Sequence, residues 1–107
     1  MGNRQDVILI NAKICLMTTE EGGRINGIKS GYRPNHVFIK TEDNTFSQTY
    51  IGEIQFDEQE FIELGESKNV TVSFLRLGEI EKYLSIGRKW FIFEGGKFVG
   101  EAEIIGM

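Results

Sequence analysis

The sequence predicts an all-β domain, a sandwich or barrel with six main strands and room for a seventh. Apolar and polar residues alternate with a period of two in several segments, which is typical of half-buried strands. Clusters of glycine, asparagine and charged residues separate these segments at the spacing expected of an all-β fold. With 107 residues, the chain suits one domain, expected over residues 1–107 with a core at about 6–105.

Three strands are expected in the first half of the chain. Residues 6–17 alternate over their whole length, which is typical of a long half-buried strand. A glycine-containing polar turn at 18–24 ends this strand, and a second turn covers 30–35. Pro34 in that turn favours the start of a strand, since proline cannot donate to a sheet interior. That strand is expected at 36–41, followed by a loop at 42–45 and a third strand at 50–56.

The second half is expected to add three strands and one helical turn. A loop at 64–68 precedes a strand at 69–76. Ile80, Tyr83 and Leu84 have helical spacing, which predicts a turn of helix at 79–84. Strands are expected at 88–94, with Trp90 and Ile92 facing inward, and at 97–105, joined by a tight glycine turn. Closure into a barrel is favoured because it removes exposed strand edges.

Composition and charge narrow the functional class. The net charge is −4, whereas general nucleic-acid binders are usually basic because they contact phosphates. Cys15 is the only cysteine, so an intrachain disulfide is excluded and a reducing compartment is indicated. No apolar run approaches the ~18 residues of a membrane span, and residues 1–6 do not resemble a signal peptide. We therefore expect a cytoplasmic protein.

No arrangement of residues indicates catalysis. His36 is the only histidine, and with Cys15 it supplies at most two soft metal ligands, too few for a zinc site. A nucleophilic pair of Cys15 and His36 has no third residue to orient it. The acidic run at 57–60 is typical of a solvated loop, and a small filled barrel leaves little room for a pocket. We expect no metal, no cofactor and no enzymatic activity.

Three segments, taken in order, resemble the C-terminal (third) domain of bacterial elongation factor Tu. Residues 21–24 read Glu-Gly-Gly-Arg, residues 30–35 read Ser-Gly-Tyr-Arg-Pro-Asn, and residues 87–100 read Gly-Arg-Lys-Trp-Phe-Ile-Phe-Glu-Gly-Gly-Lys-Phe-Val-Gly. The family's versions read Glu-Gly-Gly-Arg, Gly-Tyr-Arg-Pro-Gln and Gly-Leu-Arg-Phe-Ala-Ile-Arg-Glu-Gly-Gly-Arg-Thr-Val-Gly. The spacing agrees from about residue 7 to 105, apart from a few extra residues near 78–84. The resemblance implies a six-stranded antiparallel Greek-key β-barrel.

The resemblance also implies partners for the chain. In the family this barrel touches the T arm of aminoacyl-tRNA, packs against the GTPase domain and helps bind the exchange factor. The positions that correspond to tRNA-facing ones are Arg24, Asn35, Asn44, Arg76 and Gly95. The complete factor binds GTP in a separate domain with a P-loop, and this sequence has no Gly-x-x-x-x-Gly-Lys-Ser/Thr element. GTP binding is therefore not expected here.

Some positions depart from the family pattern. Phe93 stands where the family has arginine, and the acidic residues Glu101 and Glu103 replace small or apolar ones. Carboxylates near RNA would repel it. Since the interior of a small barrel is filled, function is expected on its rim and outer faces. The rim-loop candidates are Gly23, Tyr32, Arg33, Gly96 and Lys97.

The rim candidates also have plain structural interpretations. The glycine pairs suit hairpin turns, Arg33 suits a locally paired turn arginine, and Tyr32 suits packing at a barrel end. Phe46, Phe61 and Phe93 are candidates for an exposed patch that drives self-association.

The leading hypothesis is a non-catalytic stand-alone interaction module linked to translation, with a protein or tRNA–protein partner. Three alternatives stay open. One is direct tRNA or RNA binding through Arg24, Arg76 and the Gly95 turn. Another is an immunity or decoy protein that blocks a tRNA-targeting toxin. The third is a barrel kept for a partner unrelated to translation.

Overall fold

The computed structural model describes residues 6–107, so the first five residues of the expected domain, and most of the segment assessed for a signal peptide, lie outside the described part. The described residues form eight strands and one 3-10 helix, bounded as follows: β1 (Val7–Leu16), β2 (Ile28–Lys29), β3 (Asn35–Val37), β4 (Tyr50–Gln55), β5 (Phe61–Ile62), β6 (Ser67–Leu75), the 3-10 helix (Ile80–Tyr83), β7 (Lys89–Glu94) and β8 (Lys97–Gly106). None of the helical segments in 6–107 is long and apolar enough to cross a membrane.

Six strands close into a barrel in the order β1-β6-β4-β3-β7-β8. Every neighbouring pair is antiparallel, including β8 with β1. The successive barrel strands β3, β4 and β6 lie side by side, and the next barrel strand, β7, returns to lie beside β3, which is a Greek-key arrangement. The predicted six-stranded antiparallel barrel is confirmed. The small β2–β5 pair was not predicted, because two-residue strands carry no readable periodicity.

Alternating side chains fill the barrel. On β1 the buried positions Ile10, Ala12, Ile14 and Leu16 alternate with exposed ones, as the period of two predicts. Trp90, predicted to face inward, is fully buried in the core. The interior is therefore a packed core, which leaves the loops and the outer wall for contacts with other molecules.

The third barrel strand is shorter than predicted. β3 ends at Val37, whereas the sequence predicted a strand over 36–41. The chain leaves the sheet there and forms a loop in which Thr41 exchanges backbone hydrogen bonds with Thr45 and Asn44. Thr45 N–H also donates to Thr41 Oγ1 at 3.0 Å. These local bonds compete with strand pairing for the backbone.

Phe93, a candidate for an exposed self-association patch, does not contribute to one, because its side chain is fully buried. The β7–β8 register shifts between Ile92 and Phe93, where β8 carries one extra residue, Val99. The Phe93 ring packs 4.6 Å from that of Phe46 and 5.4 Å from that of Phe98, measured between centroids. Phe46 is half-buried by this contact, and Phe61 is exposed.

The antiparallel register divides the connections between two ends of the barrel. One end carries the loops at 17–34 and 56–66 and the β7–β8 turn at 95–96. We call it the motif end, because all three family-like segments reach it. The opposite end carries the loops at 38–49 and 76–88. We call it the helix end, since the 3-10 helix lies there and confirms the predicted helical turn.

Candidate interaction surface at the motif end

The loop after β1 is held in one conformation by its own hydrogen bonds. Thr18 C=O accepts from Gly23 N–H at 2.9 Å, and Thr18 N–H donates to the Glu21 carboxylate at 2.9 Å. Gly23 is buried, and a Cβ atom there would lie 2.7 Å from the Met17 carbonyl oxygen. Only glycine fits this close approach. The rim candidate Gly23 is thus a packing position that shapes the loop leading to Arg24.

Arg24, Tyr32 and Glu94 form one bonded cluster at the motif end, which we call the Arg24 cluster. Arg24 Nε lies 3.0 Å from Glu94 Oε2, and the Tyr32 hydroxyl donates to the same oxygen. The guanidinium also sits 5.1 Å from the centroid of the Tyr32 ring and donates to Gly27 C=O at 3.2 Å. Arginine is suited to this use, since its planar group can bond a carboxylate and lie over an aromatic face together.

The electrostatics of the cluster keep Tyr32 protonated. Burial, and then the hydrogen bond and charge of Glu94, raise the pKa of the Tyr32 phenol far above its ordinary value, while Arg24 opposes the shift. The phenol therefore donates to the carboxylate at all ordinary pH values. The Arg24 charge is matched by Glu94, so the cluster offers an aromatic and hydrogen-bonding surface with little net charge.

The β7–β8 turn follows directly from this cluster. Glu94 pairs with Lys97 across a two-residue turn of Gly95 and Gly96. Gly95 has φ +60° and Gly96 does not lie in the left-handed region, which is the glycine pattern of a type II′ turn. Neither glycine would place a Cβ within 4 Å of other atoms. The turn is exposed, so a partner can approach its backbone closely.

Two more candidates flank the cluster. Arg33 pairs with Glu53 at 2.9 Å while its side chain stays 72% exposed, so its partner is a carboxylate of β4 and not a group of its own turn. Asn35 is half-buried on β3, in register with Ile51 on one side and Phe93 on the other. Lys97 is exposed at the start of β8.

The five positions that correspond to tRNA-facing ones are not brought together. Arg24, Asn35 and Gly95 lie at the motif end, whereas Asn44 and Arg76 lie in the two loops of the helix end. Asn44 adopts a left-handed conformation with φ +64°, which asparagine tolerates in turns. Arg76 pairs with Glu81 and lies 3.9 Å from Asp6. Both candidate arginines are thus already matched by carboxylates.

One of the two acidic residues of β8 that depart from the family pattern lies beside lysines on the outer wall. Glu103 is in register with Lys13 on one side and Lys89 on the other. Opposite charges at cross-strand positions attract each other. Glu101 is in register with Cys15 and Phe91 and is exposed. The free cysteine therefore faces outward beside Glu101 on the wall.

No group of three or more metal-ligating side chains occurs within residues 6–107. His36 is fully buried, and its Nδ1 atom accepts from Trp90 Nε1–H at 3.0 Å. The Nε2 atom therefore carries the proton and donates to Gly52 C=O at 3.0 Å. Burial lowers the pKa of His36 to about 4. The imidazole is a neutral core side chain inside the barrel, whereas Cys15 lies outside it.

Sequence reasoning missed Glu94 as the residue that organises the motif end. Its position in the Glu-Gly-Gly segment was visible, but its two partners are distant in the sequence. One signal for this contact was present in the sequence. Glu94 directly precedes the hairpin glycine pair, and Arg24 and Tyr32 stand in the two turns that resemble the family.

Comparison with known proteins gives a consistent result. Residues 5–107 match the family described as "Elongation factor Tu C-terminal domain". The chain is 34% identical over 102 residues to elongation factor Tu of the apicoplast of Theileria parva, a match that covers 88% of this chain and 22% of that protein. It is 30% identical over 94 residues to elongation factor Tu 2 of Streptomyces avermitilis, covering 88% of this chain and 21% of that protein. The chain thus spans about a fifth of the length of these relatives.

Proposed function

Because the chain belongs to the elongation factor Tu C-terminal domain family, we propose that it is a non-catalytic, cytoplasmic interaction module of translation that binds a protein partner through the motif end. The carrying observation is the Arg24 cluster, in which a salt bridge and a phenol–carboxylate hydrogen bond meet on Glu94 and a cation–π contact joins Arg24 to Tyr32. The cluster forms without a partner. Binding to it therefore costs little additional ordering of side chains.

The chemistry of this surface favours a protein over an RNA backbone. Phosphate binding draws its free energy mainly from unpaired lysine and arginine side chains that displace counterions. Arg24 and Arg76 are both engaged by carboxylates of this chain, so RNA would have to compete with those pairs. Phe93, where the family has arginine, is buried and offers no charge. The chain's net charge of −4 works in the same direction.

The exposed parts of the motif end give the proposed contact its character. Tyr32 is half-buried, the Gly95–Gly96 turn presents accessible backbone, and Lys97 presents an exposed cation. Arg33 is 72% exposed but is paired with Glu53. Aromatic and arginine side chains are enriched where proteins bind one another. A partner surface with hydrogen-bonding groups and a few carboxylates would be complementary to this set.

An affinity capture with matched variants tests the proposal. Tagged protein is incubated with a lysate of the source organism, with and without ribonuclease, and the bound proteins and RNA are identified. We expect translation proteins to be retained after ribonuclease treatment. Glu94→Ala, which removes the centre of the Arg24 cluster, should lose them. Glu81→Ala is the matched control, because it removes the carboxylate partner of Arg76 at the opposite end.

The outcomes separate the hypotheses. Capture that disappears with ribonuclease, together with recovery of tRNA, would contradict the protein-partner proposal and support direct RNA binding. Equal loss in Glu94→Ala and Glu81→Ala, with unchanged thermal unfolding of both, would exclude the motif end as the contact surface. A tRNA-cleaving enzyme as the main captured protein would support the immunity hypothesis.

A further inference from the structure

The outside of the barrel has one face that carries almost no charge, which we call the neutral wall. Three neighbouring strands, β1, β6 and β4, form it with their halves nearer the helix end. Nine side chains point outward there, and each is exposed or half-buried. They are Val7, Leu9 and Asn11 of β1, Thr71, Ser73 and Leu75 of β6, and Ile51, Glu53 and Gln55 of β4.

The strand register arranges these nine side chains in three rows across the sheet. The row nearest the helix end is aliphatic. Val7 is in register with Leu75, and Ile51 lies beside Leu75, one residue beyond the Gly52–Phe74 pair. The middle row consists of Leu9, Ser73 and Glu53, and the third row consists of Asn11, Thr71 and Gln55.

The neutral wall is unusually apolar for a surface that faces water. Val7, Leu9 and Ile51 are 44%, 58% and 54% exposed. The one charged side chain of the nine, Glu53, is already paired with Arg33 at 2.9 Å, whereas 26% of all residues in the chain are charged. A contiguous aliphatic surface of this kind marks a contact with another protein. Nucleic acid would find no cation among the nine side chains to bind its phosphates.

The three rows are complementary to themselves. In a two-fold symmetric dimer the same surface serves both partners. If the axis runs along β6, the central strand, each row faces its own copy and the residues of β1 face those of β4. Val7 then meets Ile51, so aliphatic groups are buried together. Asn11 meets Gln55, and both amides can donate and accept hydrogen bonds.

We propose that the neutral wall binds a second copy of this chain, with the two-fold axis along β6. Glu53 then lies opposite Leu9 of the second copy, so no charged side chain of the wall faces its equal. Because the axis is parallel to the strands, both motif ends lie on the same side of the dimer and stay free. Nine residues a side is fewer than the roughly 20–30 of a standard interface, so the dimer is weak, with a dissociation constant on the order of 10–100 µM.

Sedimentation equilibrium with charge variants tests this arrangement. The wild type should change from monomer to dimer between about 5 and 500 µM. Leu9→Glu places a carboxylate opposite Glu53 and should weaken dimerisation at least about tenfold, since like charges across an interface repel. Leu9→Arg places a cation there and should dimerise at least as tightly as the wild type. Ile86→Glu is the matched control, because Ile86 is 70% exposed in a loop outside the wall, and it should dimerise normally.

Cross-linking gives a second measurement that does not depend on affinity. In a Cys15→Ser background, Thr71→Cys places a thiol on the axis strand, opposite its own copy. Facing sheets pack about 10 Å apart, which a short bismaleimide can bridge. Thr71→Cys should therefore form covalent dimers. Lys89→Cys, on the exposed outer side of β7, should not form them at the same concentration.

Four results would overturn the inference. The first three are a monomer at every concentration, dimerisation of Leu9→Glu as tight as that of the wild type, and equal cross-linking of the two cysteine variants. The fourth is equal weakening by Leu9→Arg and Leu9→Glu, which would show that Leu9 does not face Glu53. Thermal unfolding of each variant checks that the barrel is intact. None of these results bears on the proposed function, because the Arg24 cluster lies outside the neutral wall.

Discussion

Acidification between pH 7 and pH 5 should destabilise this barrel through His36. The buried imidazole has a pKa of about 4 in the folded state, against an ordinary value of about 6.5 in an unfolded chain. Below pH 6.5 the unfolded state binds a proton that the folded state does not bind. Stability is therefore fully present above pH 6.5 and is lost as the pH falls towards 4.

The size of this effect follows from the gap between the two pKa values. The whole gap corresponds to about 3 kcal/mol of unfolding free energy, and about 2 kcal/mol of it should be lost by pH 5. Native domains of this kind have a total stability of roughly 5–15 kcal/mol. The loss precedes protonation of most carboxylates, whose ordinary pKa values lie near 4. Trp90 and Gly52 hold the ring from both sides, so rotation cannot expose it to water.

Urea unfolding at pH 7, 6 and 5 measures this loss directly. His36→Gln is the reference variant, because its amide can donate to Gly52 C=O without titrating in this range. At pH 7 it should be less stable by about 1–3 kcal/mol, since Trp90 loses its acceptor. On acidification the difference between the two proteins should shrink by about 2 kcal/mol. Parallel stability curves for the two proteins would refute the assignment of a neutral, buried imidazole.

Three substitutions test other contacts by the same urea unfolding at pH 7. Gly23→Ala should cost about 1–3 kcal/mol, because its Cβ would lie 2.7 Å from the Met17 carbonyl oxygen; an unchanged midpoint would contradict that packing. Phe93→Arg should cost about 3 kcal/mol or more, since it buries a charge among aromatic rings, and wild-type stability would mean that this position is open to solvent. Arg24→Lys should cost about 1 kcal/mol or less because Glu94 is partly exposed, and a loss of several kcal/mol would show that the Arg24 cluster supports the barrel itself.

The parts of the fold that the sequence predicted are those governed by local chemistry. The alternation in β1 predicted both the strand and its buried face, because a period of two is a property of every strand. The glycine pair at Gly95 and Gly96 predicted a hairpin, because only certain residues adopt such backbone angles. These features depend on neighbouring residues alone, so reading along the chain is sufficient.

The features that sequence analysis missed depend on contacts between distant segments. Phe93 continues an apolar strand, and nothing in the sequence shows that the rings of Phe46 and Phe98 bury it. Arg24, Tyr32 and Glu94 come from three separate segments. Only closure of the barrel brings Arg24 and Tyr32 to the Glu94 carboxylate.

The distribution of the candidate residues decides what kind of ligand could use all of them. Asn35 and Gly95 lie at the motif end, whereas Asn44 and Arg76 lie at the helix end. An elongated ligand that runs along the outer wall could touch both ends, whereas a protein bound at the motif end needs only the first group. Arg76→Ala should then leave partner capture unchanged while Arg24→Ala abolishes it, and a similar loss in both variants would favour the elongated ligand.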